Sequence, residues 1–200
     1  MRRYHRRPPR SAATPSVSGV SSLTSIALVG LPGSGKTTIG KLLARRLGMD
    51  FVDSDHVIEE RLGCPIRAFW EQQGEAAFRD IEQATIEDLS RQALASPLVL
   101  ATGGGSVLRA ANREALRAAT HVVYLRSSPE QVLQRVRHSR NRPLLQVDDP
   151  LERLRTLYAE RDPLYRETAH LTVDCERPSL QALLNVIVLQ LELAGVRPAT

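Results

Sequence analysis

The chain has 200 residues, of which 42% are hydrophobic and 4% aromatic, and carries a formal net charge of +5. That length supports one well-buried core and excludes two comfortable ones. Five arginines, Arg2, Arg3, Arg6, Arg7 and Arg10, fall in an acid-free stretch at the amino terminus and leave 22 basic against 22 acidic residues beyond it, so the body of the protein is neutral and does not read as a nucleic-acid surface.

The expected organisation is a basic tail over residues 1–24 and a single domain over 25–200. The tail has no apolar stretch of the kind a secretory signal needs. Its Arg/Ser-rich, acid-free composition suits an organellar transit peptide as well as a disordered segment, and the disordered segment is the expectation. Cys64 and Cys175 are the only cysteines. Their spacing suits neither a metal site nor a disulfide framework, which fits a reducing, cytoplasmic setting. The most apolar stretch, LQALLNVIVLQLELAG, is shorter than a membrane span and is broken by Gln181, Asn185, Gln190 and Glu192. It is expected to be a packed terminal helix capped by Ser179, and no membrane contact is expected.

Apolar and amphipathic runs then alternate along the chain, the pattern of an α/β fold with a mainly parallel sheet. The first expected strand is Ser25 to Val29. Lys36 to Leu47 follows with Ile39, Leu42, Leu43 and Leu47 on one helical face and Gly48 as its stop. Phe51 to Val52 is the second strand, and Asp55 to Leu62 a helix ended by Gly63. Pro65 opens a short helix ending at Gly74, and Glu75 to about Ala95 gives a longer one. Strands are expected at Leu98 to Ala101, Val122 to Leu125 and Leu171 to Val173. Between them, Ser128 and Pro129 form a cap with a first-turn proline, and Asp149, Pro150 and Glu152 repeat the device. The segment RHSRNRPLLQVDDP, Arg137 to Pro150, fits neither period and reads as a mobile surface flap or an ordinary loop.

Three clusters carry chemistry. GLPGSGKT, Gly30 to Thr37, matches the phosphate-loop pattern and lies between a strand and a helix, as that pattern requires. Gly33, Ser34 and Gly35 would turn backbone N–H groups inward, Lys36 would reach the terminal phosphates, and Thr37 would meet Mg²⁺. VDSD ends the second strand, so Asp53 and Asp55 should open into the same crevice as the loop. One carboxylate would serve a hydrated metal and the other a substrate hydroxyl, although Asp55 could equally cap the helix after it. ATGGGS ends the third strand, and Gly103, Gly104 and Gly105 either floor a small-substrate site or make a plain strand-to-helix turn. Arg79, Arg142 and Arg161 together offer bidentate recognition of a carboxylate. Individually, Arg79 could pair with Glu75 and Glu82 on its own helix, and the other two could be solvated surface.

GLPGSGKTTIGKLLARRLG, DSDHVIEERLG, GEAAFRDIE, TGGGSV, RPLL and RDPLYRE occur in this order, and from about Ile26 to Leu193 the chain resembles the shikimate kinases. The resemblance implies a three-layer α/β/α P-loop kinase fold, with a five-stranded parallel sheet in order 2-3-1-4-5 and a mobile lid. It implies transfer of the ATP γ-phosphate to the 3-hydroxyl of shikimate. Separately, a monomer is expected. Lys36, Asp55 and Arg142 then stand at catalytic positions, and Thr37 and Asp53 at the Mg²⁺ positions. Asp55, Arg79, Gly103, Gly104, Gly105 and Arg161 match substrate positions. Gly33, Ser34, Gly35, Lys36, Thr37, Thr38, Arg135, Arg142 and Arg177 match nucleotide positions. The nearest rival is a gluconate-type or other small-metabolite kinase of the same fold; a nucleotide-responsive regulator would need a DNA-binding module that the tail is too short to form.

Overall fold

In the computed structural model, residues 24–137, 148–175 and 179–196 are described. The expected tail through residue 23, the flap with Arg142, and Arg177 therefore lie outside the described residues. Five parallel strands, β1 (Ile26–Val29), β2 (Asp50–Asp53), β3 (Leu98–Ala101), β4 (His121–Arg126) and β5 (Leu171–Asp174), form one sheet in the order β2-β3-β1-β4-β5. The helices are α1 (Lys36–Leu47), α2 (Ser54–Leu62), α3 (Ile66–Ala95), α4 (Ala110–Ala119), α5 (Pro129–Val136), α6 (Pro150–Thr168) and α7 (Leu180–Leu193).

Strand periodicity divides the core in two. Ala27 and Val29 of β1 point to one face, where they meet Ile86, Leu89, Leu116, Val132, Leu154 and Tyr165 from α3 to α6. Ile26 and Leu28 point to the other, against Ile39 and Leu43 of α1 and Leu184 and Ile187 of α7. Both faces of β1 and β3 are buried, which is why these strands read as unbroken apolar runs. Strand order reverses at β1, which has β3 on one side and β4 on the other. The crevice at the carboxyl ends of these strands is thus where a ligand site is expected.

The expected boundaries hold within a residue or two, with two informative differences. The helix after Pro65 breaks where expected, at Gly74, whose φ of 83° and ψ of 175° are non-helical, and α3 denotes the segments on both sides of that break. Helix α2 begins at Ser54, and its cap is Asp53 rather than Asp55: the Asp53 carboxylate accepts from the Asp55 N–H. A 3₁₀ turn, Ser106–Leu108, and helix α4 follow the glycines. Ser128 and Gln131 form a complete capping box at α5, whereas at α6 only the Asp149 carboxylate bonds, accepting from Glu152 N–H.

The opposite, amino-terminal edge of the sheet holds a pair of imidazoles. His121 and His170 stack with ring centroids 5.0 Å apart, and His170 Nδ1 accepts from Val122 N–H at 2.9 Å. No helix among the described residues is long and apolar enough to cross a membrane.

Candidate active site

The phosphate loop leaves β1 and enters α1 through left-handed glycines, with φ of 86° at Gly33 and 99° at Gly35, which only glycine adopts without strain. Lys36 is nearly buried, and its ammonium donates to Gly30 O at 2.8 Å and Leu31 O at 2.9 Å, so it lies folded along the loop. Ser34, Gly35, Thr38 and Arg135 line one cleft of about 310 Å³, closed on its apolar side by Ile39, Leu180 and Leu183. The Arg135 guanidinium spans this cleft's root, donating to Ser34 O at 3.3 Å, Ser127 Oγ at 2.8 Å and Cys175 O at 2.6 Å. Arg177 lies outside the described residues, but Cys175 and Ser179 on either side of it line the same cleft.

Asp53 bonds in two directions. Oδ1 caps α2, and Oδ2 accepts from Thr37 Oγ1 at 2.8 Å. Because the chain turns from strand to helix at this point, Asp53 and Asp55 are not two outward positions of one extended segment; Asp55 instead stands in the first turn of α2. Its carboxyl is open to solvent along the crevice but crowded on the protein side. That crowding, then the charge of Asp53, lifts its pKa to about 6, with Lys36 pulling the other way and Glu82 and Glu59 adding to the rise.

The three glycines lie where four elements meet. A methyl on Gly103 would come within 2.6 Å of Asp55 Oδ1 and 3.2 Å of Glu82 Oε1; on Gly104, within 2.5 Å of Pro32 Cγ; on Gly105, within 2.5 Å of Arg79 Nη1. Side chains are excluded there because the phosphate loop, α2 and α3 all touch the segment. Its polar groups are also fixed: Gly103 N–H donates to Ser54 Oγ at 3.0 Å, and Gly104 O accepts from Arg161 Nη1 at 3.1 Å and Tyr165 Oη at 2.5 Å.

Arg79 makes the helix pairs that its spacing allows, to Glu82 at 2.6 Å and Glu75 at 3.2 Å, and also faces the site across Gly105. Its guanidinium carbon lies 5.3 Å from the ring centroids of both Trp70 and Phe78. Glu82 is almost fully buried; burial raises its pKa while Arg79, then Arg161 and Arg109, oppose the rise. Arg161 Nε is buried and has no protein hydrogen-bond partner among the described residues. The structure thus gathers Asp55, Arg79, Arg161 and the glycines beside the phosphate loop. Sequence reasoning missed Ser54, Glu82 as a neighbour of Asp55, and Tyr165. Ser54 stood in view between the two aspartates, whereas the other two depend on packing between distant elements.

A family model described as shikimate kinase matches residues 32–192. The chain belongs to the shikimate kinase family. It is 57% identical over 175 residues to the shikimate kinase of Paracidovorax citrulli, covering 87% of this chain and 95% of that protein. To the shikimate kinase of Burkholderia lata it is 52% identical over 168 residues, covering 84% and 90%. Among solved structures, shikimate kinase from Acinetobacter baumannii in complex with shikimate matches with a TM-score of 0.80 and 45% identity over 88% of this chain and 96% of that one. Membership makes the chain an ATP-dependent phosphotransferase, and the sheet order expected from the sequence is the one observed.

Proposed function

We propose that this site transfers the γ-phosphate of ATP to the 3-hydroxyl of shikimate, giving shikimate 3-phosphate and ADP. The observation that carries this reading is the meeting of one carboxylate, Asp55, and two guanidinium groups, Arg79 and Arg161, on a side-chain-free segment next to a phosphate loop. Shikimate offers the complementary groups, hydroxyls at one end and a carboxylate at the other. Arg79 and Arg161 take the carboxylate and Asp55 the reacting hydroxyl. A gluconate-type kinase is not favoured by the family match.

Mg²⁺ fits Thr37 and Asp53. Both offer hard oxygens and are already joined by a 2.8 Å hydrogen bond, so the Thr37 hydroxyl would hold the ion and Asp53 would serve it through water. When bound, the ion neutralises phosphate charge. Phosphoryl transfer needs mainly positioning and charge compensation, so Lys36 swings from the Gly30 and Leu31 carbonyls onto the terminal phosphates. Arg142, outside the described residues, is assigned to the same phosphates by its place in RPLL. Arg135 and Arg177 are assigned to the base of the nucleotide. The free thiols Cys64 and Cys175 suit the cytoplasmic setting expected for the chain.

The test is an ADP-release assay with Mg²⁺-ATP against shikimate, quinate, gluconate and nucleoside monophosphates. Turnover per KM should favour shikimate by about 100-fold or more, because buried polar groups left without partners reject analogues strongly. A higher value with gluconate refutes the assignment.

A further inference from the structure

Gly104 O has two lone pairs, and Tyr165 Oη at 2.5 Å and Arg161 Nη1 at 3.1 Å fill both. Tyr165 is fully buried, and its ring packs on Tyr124 at a centroid distance of 5.0 Å. Tyr124 in turn donates to Asp162 Oδ1 at 2.8 Å, one residue beyond Arg161. Arg161 and Tyr165 are four residues apart on α6 and so share one helical face. Each therefore limits where the other can go. With Nη1 held on Gly104 O, the orientation of Arg161 Nε, buried and without a partner among the described residues, is set by where that carbonyl stands.

We infer that Tyr165 is a positioning residue for Arg161: its hydroxyl pins the Gly104 carbonyl, and the pinned carbonyl aims the guanidinium at the substrate carboxylate. This rests on the reading of Arg161 as a carboxylate ligand. A competing route through the same segment runs from Gly104 to Gly103 and Asp55, and it would alter turnover rather than substrate affinity.

Steady-state kinetics of the full chain, Tyr165→Phe, Arg161→Ala and the double variant separate these routes. Tyr165→Phe should raise KM for shikimate about three- to tenfold, the range expected for one lost hydrogen bond. Its kcat should stay within about twofold and KM for ATP should not move. In the Arg161→Ala background, which itself should raise KM for shikimate, the tyrosine substitution should add nothing further. An unchanged KM in Tyr165→Phe, an effect confined to kcat, additivity in the double variant, or loss of the circular-dichroism spectrum in Tyr165→Phe would each overturn the assignment. A native chain inactive on shikimate, or an Arg161→Ala variant with unaltered KM, would instead bring down the underlying reading and this inference with it.

Discussion

At the residue scale, Asp55 is the side chain whose environment most directly predicts behaviour. Its pKa near 6 means that the ionised form is disfavoured by the fold, and the ionised form is the one able to accept the hydroxyl proton or orient the hydroxyl. Activity on shikimate should therefore rise with pH through about 6. Because the folded pKa lies above the unfolded value of 3.8, the stability linked to this group is fully present below 3.8 and lost as pH climbs through about 6. Asp55→Asn removes the charge, so at pH 7 it should lower kcat by about 100-fold or more while raising the melting temperature. Nucleotide binding, measured by calorimetry with ADP, should be nearly unchanged. A variant that loses turnover and also melts lower would contradict the electrostatic account. Sequence placed both aspartates at the correct strand end but exchanged the capping role. The exchange arose because α2 begins at Ser54, one residue before the expected start at Asp55, so Asp53 takes the capping position and serves the helix as well as Thr37.

At the scale of elements, the site was legible wherever local chemistry decides it, and illegible where packing does. The loop glycines, the stop at Gly48 and the caps at Ser128, Asp149 and Ser179 follow from backbone rules that operate within a few residues. The bend at Gly74 was also readable, but its consequence was not: Trp70, before the bend, and Arg79, after it, come within cation-π range. Likewise, the three glycines looked compatible with an ordinary turn, and only the neighbouring elements reveal which groups a Cβ would displace. Gly105→Ala tests this. The displaced group would be the end of the Arg79 side chain rather than backbone, so the fold should survive while KM for shikimate rises about tenfold. An alanine variant with native KM would show that Arg79 has room to spare.

At the scale of the whole molecule, charge and chemistry are separable. Removing residues 1–22 takes the formal charge from +5 to zero without touching any residue assigned to the site. Turnover and both KM values should be unaltered. Sedimentation of the full chain should give a single species near its mass of 22.1 kDa, in line with a site whose assigned groups all come from one chain. The deletion also asks whether the tail has any nucleic-acid affinity, since loss of salt-dependent retention on a polyanion would trace it to those arginines.

The imidazole pair gives the sheet a second titratable end, far from the reacting groups. Burial, with Arg117 adding to it, holds the His170 pKa below the ordinary imidazole value, so the stability tied to this group is present above about 6.5 and drains away as pH falls. Protonation would also take from Val122 N–H its Nδ1 acceptor at the start of β4. Acid therefore acts in opposite senses at the two edges: protonating Asp55 at the carboxyl edge removes activity while relieving the fold, and protonating His170 at the amino edge costs β4 its anchor.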